Sequence, residues 1–424
     1  MPLRRFQSKE PATRWAVLII PIILLGAFGF GTYAIIYHLC VQYLIRQRGE
    51  TGLATAFLVL YAIFFPLTIA PYLRVLYTAQ TNPGAVPWTD DRIREEEEKE
   101  RNRHLKPKRS WWKKPKPEDA ESRPWNPPDQ NPDSPGLENF YSKNVFVCEG
   151  DGRPKWCSEC RSWKPDRASH SSELGRCIRK MDHLCPWVGG MVSETSFNFF
   201  FQFTLWCLCY CIVCLACSAY CLTKQRQEPG GLDGVTVGAI ALSAFFGFFS
   251  FGMTGTSANF VFQNKTNIDL LRKDHVHQLA VRVPRGTRST SEYQTITYPL
   301  TQPSGWPAAN AQMNADGQTS SDSSTATRDQ QASRTFAILR TEPGENPWDL
   351  GYYGNFKVVM GNTLWEWILP IKHSPCCNHD SMDSDYKLGP LVEELATRVN
   401  LPRKRSKSDH TVEMTQTSIP DRSA

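Results

Sequence analysis

A chain of 424 residues with a net charge of +6 and a mean hydropathy of −0.40 reads, on averages alone, as about two or three soluble domains. The averages mislead, because the apolar residues are bunched into four long uncharged runs while the segments between them are rich in Pro, Ser, Lys, Arg and Glu. The modest charge, broken by acidic clusters such as Glu96 to Glu98, argues against a nucleic-acid partner, and the fourteen cysteines, six of them in one apolar run from Cys207 to Cys221, fit a reducing compartment better than a disulfide framework.

Residues 1–14 form a cytosolic N-terminal tail carrying Arg4, Arg5, Lys9 and Arg14. Two runs without Asp, Glu, Lys or Arg follow, Trp15 to Ile45 and Leu53 to Leu73. Crossing the hydrocarbon core takes about 20 apolar residues, and buried helices of soluble proteins seldom pass about 14 without a charge on one face. Both runs are therefore predicted membrane spans. The first is too long for a cleavable signal and lacks a clear small-residue cleavage site. Pro21 and Pro66 fall inside the spans, where neighbouring helices can satisfy the freed carbonyls. Residues 74–154 read as a cytosolic linker, partly disordered: Arg92 to Arg103 predicts a short polar helix, and the Pro/Lys/Trp-rich stretch Lys106 to Pro132 is expected to be extended and mobile.

Residues 155–196 carry the chemistry. Cys157 and Cys160 form a Cys-x2-Cys knuckle, followed by His170, Cys177 and then Asp182-His183-Leu184-Cys185-Pro186-Trp187. Such a knuckle sets two thiolates on one side of a tight loop, and a later His and Cys complete a closed tetrahedral Zn²⁺ shell, which is the structural type. Metal binding then supplies folding free energy that a short loop with few apolar residues cannot obtain from burial. Asp182, His183 and Cys185 suggest a nucleophilic thiol: a free thiol with pKa near 8.5 is only a few per cent ionised at neutral pH, so His183 would take its proton while Asp182 fixes the ring tautomer. On these residues alone, an Asp-His pair capping a turn beside a packed cysteine is an equal alternative.

Phe197 to Thr223 and Val235 to Gln263 are the third and fourth predicted spans. Lys265, Arg272 and Lys273 after the fourth, with the N-terminal cations, outweigh the two cations in each short inter-span loop, which puts both termini and the long central segment in the cytosol. The thiols of the third span read as small apolar residues of a packed helix. Residues 264–424 are expected to be a largely disordered cytosolic tail, because 283–340 and the stretch after about 375 are rich in Ser, Thr, Asn and Gln with few large apolar groups. Cys376-Cys377 in that tail is either an acylated pair or an inert one. No span holds a paired intramembrane charge, so a transporter is disfavoured.

The stretch Cys157-Ser-Glu-Cys160, Lys164-Pro165-Asp166-Arg167-Ala-Ser-His170, Cys177-Ile-Arg-Lys-Met-Asp182-His183-Leu184-Cys185-Pro186-Trp187-Val188 resembles the cysteine-rich domain of the DHHC protein palmitoyltransferases, in a divergent, fungal-like form. Shorter matches support it: Asn82-Pro83-Gly84 resembles the family's Asp-Pro-Gly, Thr266-Asn267-Ile268-Asp269 its Thr-Thr-x-Glu, and Asn346-Pro347-Trp348 with Gly354-Asn355-Phe356 its C-terminal motif. The resemblance implies an α-helical integral membrane protein with four transmembrane helices and a small cytosolic zinc-binding domain between helices 2 and 3. It implies that Cys185 takes the acyl group of palmitoyl-CoA as a thioester and passes it to substrate proteins with membrane-proximal cysteines, with His183 as general base and acid and Asp182 orienting it. Lys164, Arg167, Arg179 and Lys180 are candidates to meet the CoA phosphates, and Tyr210 aligns with the position that closes the acyl cavity. The bilayer is a partner, in an endomembrane or the plasma membrane. The main departure is that the family's second zinc-ligand set falls on Ser171, Leu174, Leu184 and Met191, none of them a ligand, so one zinc ion is expected, held by Cys157, Cys160, His170 and Cys177. The rival to an active enzyme is an inactive zinc-containing membrane scaffold of the same fold.

Overall fold

The computed structural model describes residues 11–88, 90–105, 136–228, 233–271, 276–298 and 333–402. The Pro/Lys/Trp-rich stretch from Lys106 to Pro132 and the cations Arg272 and Lys273 lie outside them.

Four helices are long and apolar enough to cross a membrane. The first combines α1 (Pro11–Thr32) with a π-helical continuation, Tyr33–Gln47; the others are α2 (Thr51–Thr81), α5 (Phe197–Gln225) and α6 (Gly234–Gln263). Helix α2 runs past the expected end of its span, through Arg74 to Thr81, so the apolar limit and the helical limit differ. Outward faces carry large apolar side chains with little cover, Ile22 at 69%, Phe248 at 83% and Phe251 at 66% exposure. A soluble protein rarely exposes such a belt. Inside the bundle Phe28, Tyr72, Phe203 and Tyr210 interlock, with Tyr72 and Phe203 ring centroids 4.9 Å apart.

Between α2 and α5 lie α3 (Asp90–Leu105), α4 (Glu138–Tyr141) and strand β1 (Val145–Cys148), followed by three small hairpins. These are β2 (Trp156–Cys157) with β3 (Ser162–Trp163), β4 (Ala168–Ser171) with β5 (Arg176–Arg179), and β6 (His183–Cys185) with β7 (Gly190–Val192). The polar helix expected over the charged run is α3.

The tail departs most from expectation. After α7 (Asn267–Leu271), strands β8 (Gln278–Val283), β9 (Gln294–Tyr298) and β10 (Arg334–Arg340) join β1 in an antiparallel sheet of order β1-β8-β10-β9. Helices α8 (Gly351–Met360), α9 (Leu364–Ile368) and α10 (Leu391–Arg398) follow. The expectation of a largely disordered 264–424 is therefore corrected for 276–298 and 333–402. Composition failed because it averages over long windows, whereas these strands are short and alternate in side-chain direction. One sheet face packs Phe146, Phe336 and Tyr298 against Trp163; the other packs Val147, Leu279 and Leu339 against Trp348, Tyr386 and Leu395. A sheet buried on both faces has the apolar area to fold.

Candidate active site and metal centre

The β2–β3 turn and the β4–β5 hairpin bring Cys157, Cys160, His170 and Cys177 together, every ligand atom within 4.8 Å of the others. His170 and Cys177 are cross-strand partners, and His170 Nδ1 lies 3.5 Å from Cys157 Sγ and 3.3 Å from Cys160 Sγ. Three thiols and one imidazole in a buried pocket fit a closed tetrahedral metal site. The positions of the missing second set are filled otherwise: Ser171 Oγ accepts from the Leu174 amide at 3.2 Å, and Leu184 pairs with Met191 across β6–β7.

The β6–β7 hairpin carries Asp182, His183 and Cys185. Asp182 is 3% exposed and fully engaged: its Oδ2 lies 2.6 Å from His183 Nδ1, its Oδ1 accepts from the Asn267 amide at 2.8 Å, and its own amide donates to Val192 O. The Nδ1 nitrogen is thereby committed to the carboxylate, which leaves Nε2 for other chemistry. Burial works against a charged His183 ring, but hydrogen bonds to Asp182 and to Cys185 outweigh it and lift its pKa from 6.5 to about 10. The shift favours the protonated ring at neutral pH.

Cys185, 5% exposed, ends β6 just before a 3₁₀ turn, Pro186–Val188, and Gly189 at φ +69° returns the chain. Gly190 lies so close to α2 that a Cβ would stand 2.8 Å from Ala79 O, and Tyr72 Oη donates to Trp187 O at 3.2 Å. The hairpin is therefore seated directly on a membrane helix. Cys185, His183 and Trp187 line a cavity of about 200 Å³, walled by Phe200, Phe203 and Phe249. A second cavity of about 40 Å³, sharing Leu24, Cys207 and Phe246 with the first, continues into the bundle and contains Tyr210. The Tyr210 hydroxyl is 3.4 Å from that of Tyr61, which lies 2.7 Å from Thr32 Oγ1.

The four candidate phosphate-binding cations do not share a surface, which corrects the expectation for two of them. The Arg167 side chain is 2% exposed, pairs with Asp269 at 2.7 Å, donates to Asn264 O at 2.8 Å and stacks on Trp348 at 4.7 Å. Lys180 is buried, donates to Asn264 Oδ1 at 2.8 Å, and has its amine pushed down in pKa by that burial. Both charges are committed inside the protein. Arg179 Nη1 sits 3.7 Å from Asp385, and Lys164 is half-buried directly after β3.

The shorter motifs act as joints. Ser193 and Thr195 hydroxyls donate to Pro83 O and Asn82 O, and the Arg179 amide donates to Gly84 O. Asn346 and Asn355 side chains donate to Gln263 O and Phe262 O at the end of α6. Asn264, which gathers Arg167, Lys180 and Trp348 O, was not anticipated; it is the left-handed residue that ends α6, and an Asn directly after an apolar helix was the available signal.

Among known sequences, the model of the family described as DHHC palmitoyltransferase matches residues 151–274. The chain is similar to a protein named palmitoyltransferase pfa5 from Aspergillus fumigatus, 39% identical over 90% of this chain and 89% of that one. The protein of the same name from Emericella nidulans is 34% identical over 91% and 86%. Mouse palmitoyltransferase ZDHHC20 is 29% identical over 46% of this chain and 43% of its own.

Proposed function

The chain belongs to the DHHC palmitoyltransferase family and is a protein S-palmitoyltransferase, and we propose that Cys185 is the thiol that carries its acyl group. The observation that supports this assignment is that His183, held by Asp182 through Nδ1, and Cys185 together line an apolar cavity.

In the first step the Cys185 sulfur attacks the thioester carbonyl of palmitoyl-CoA. A C–S bond forms to Cys185, whose proton has passed to His183, the bond to CoA breaks, and that proton is available to the departing CoA sulfur. In the second step the sulfur of a substrate cysteine attacks the acyl-enzyme, its proton passes to His183, and the Cys185 thiolate leaves. Asp182, held by His183 and the Asn267 amide, keeps the ring oriented and stabilises its charge. The alkyl chain occupies the cavity, which is why acceptor cysteines near the membrane suit this site. A single Zn²⁺ held by Cys157, Cys160, His170 and Cys177 would be structural. Lys164 and Arg179 remain the candidates for CoA phosphates. The flanking cations favour a membrane protein with both termini in the cytosol.

The test is incubation of the purified full-length protein with radiolabelled palmitoyl-CoA. A hydroxylamine-sensitive label on the peptide containing Cys185 is expected, and label confined to other peptides would overturn the assignment.

Chain-length preference tests the depth of the acyl site. Tyr210→Ala opens the inner cavity, and each further buried methylene is worth about 0.8 kcal/mol. Loading with C18 relative to C16 acyl-CoA is expected to rise, by at most about 15-fold for two methylenes. An unchanged ratio would show that Tyr210 does not limit the chain.

A further inference from the structure

Two residues beyond β7, Glu194 is only 4% exposed. A carboxylate so far from water is unfavourable unless it is paired and hydrogen-bonded. Its partners come from one distant stretch: His379 Nε2 lies 3.1 Å from Oε1, the Tyr386 hydroxyl donates to Oε2, and the Cys377 thiol donates to the Glu194 backbone oxygen at 3.2 Å. The same stretch also reaches Thr195 O through His373 Nδ1 at 2.8 Å. On the opposite side Ser193 and Thr195 are held by the Asn82-Pro83-Gly84 turn.

Glu194 is therefore where residues 373–386 take hold of the chain leaving β7. That strand is the hydrogen-bonded partner of β6, with Val192 opposite His183 and Gly190 opposite Cys185. Leu184 and Met191, the pair between them, have no side-chain atoms able to ligate a hard or borderline cation in place of the strap. We propose that Glu194, clamped by His379 and Tyr386, is a positioning residue for acyl loading, and that the strap 373–386 sets where the Cys185 sulfur meets His183. The inference rests on Cys185 as the nucleophile.

The experiment compares Tyr386→Phe, His379→Gln and the double variant with the unaltered full-length protein. Single-turnover acyl-enzyme formation is followed over a range of palmitoyl-CoA concentrations, beside zinc content and thermal unfolding. In each single variant the maximal loading rate is expected to fall about tenfold, with the half-saturating palmitoyl-CoA concentration and metal content unchanged and the unfolding temperature lowered but still well above the assay temperature, since a buried carboxylate loses one partner. The double variant is expected to fall no further than the worse single, because both partners act through one carboxylate. Maximal rates equal to the unaltered protein, or losses that track lost zinc or lost folded protein, overturn the proposal. If a strap variant does not fold, Glu194→Gln, which keeps the volume and can still accept from Tyr386, carries the same test, with a smaller fall in maximal rate expected and no fall overturning the idea. A thioester that persists in Cys185→Ser would instead sink the nucleophile assignment, so the two failures are distinguishable.

Discussion

Cys185→Ser is expected to reduce acyl-enzyme formation by at least about 1000-fold while the membrane protein stays folded. A serine hydroxyl is a far weaker nucleophile than a thiol, whose thiolate is both accessible at neutral pH and intrinsically reactive. The substitution removes almost no volume from a site where the side chain is 5% exposed, so loss of activity without loss of fold isolates the chemistry. His183→Ala is expected to slow both loading and transfer, each by roughly 100-fold or more, since each step moves a proton to or from sulfur. The lifted pKa of His183, about 10, means that the ring carries its proton throughout the neutral range. Asp182→Asn removes the partner that favours this state and is expected to lower that pKa, read by NMR of the ring or by the pH profile of loading. A thioester that survives Cys185→Ser at the original rate would refute the assignment.

Cys160→Ala is expected to release the metal, unfold the cysteine-rich domain and abolish acylation together. Zinc favours four N or S ligands in a closed structural site, and the described residues bring one such set together. In short zinc-dependent folds the metal contributes apparent binding energies of about 10–16 kcal/mol, which is folding energy. The β2–β3 and β4–β5 hairpins are two to four residues per strand, too short to persist without the cross-link. Elemental analysis of the purified protein is expected to give one zinc per chain; two would require ligands beyond this motif. Leu184→His is expected to leave that ratio at one, because Ser171, Leu174 and Met191 still offer no thiolate, imidazole or carboxylate.

The elements legible in the sequence share a property: each is encoded within a short stretch. The apolar runs mark spans because uninterrupted length is itself the signal. Cys157, Cys160, His170 and Cys177 announce a metal site because two adjacent hairpins place their ligands within 21 positions of one another. The cations misled for the opposite reason. Arg167 and Lys180 look like surface charges in any local window, and only Asp269, Asn264 and Trp348, some 84 or more residues away, turn them inward.

The sequence by itself determined four helices long and apolar enough to cross a membrane, the Cys157, Cys160, His170 and Cys177 tetrad that could hold a metal, and the presence of Asp182, His183 and Cys185 in one motif. The tertiary structure decided how those parts are held. It brought the Asn267 amide to Asp182, seated Gly190 against α2, folded the tail into a sheet with β1, and placed His379 and Tyr386 on Glu194. The physical reason is that spacing along the chain constrains residues within a turn or hairpin. Pairings across many tens of residues depend instead on which buried polar groups and apolar faces find complementary partners, and a local pattern of residue types carries no record of that.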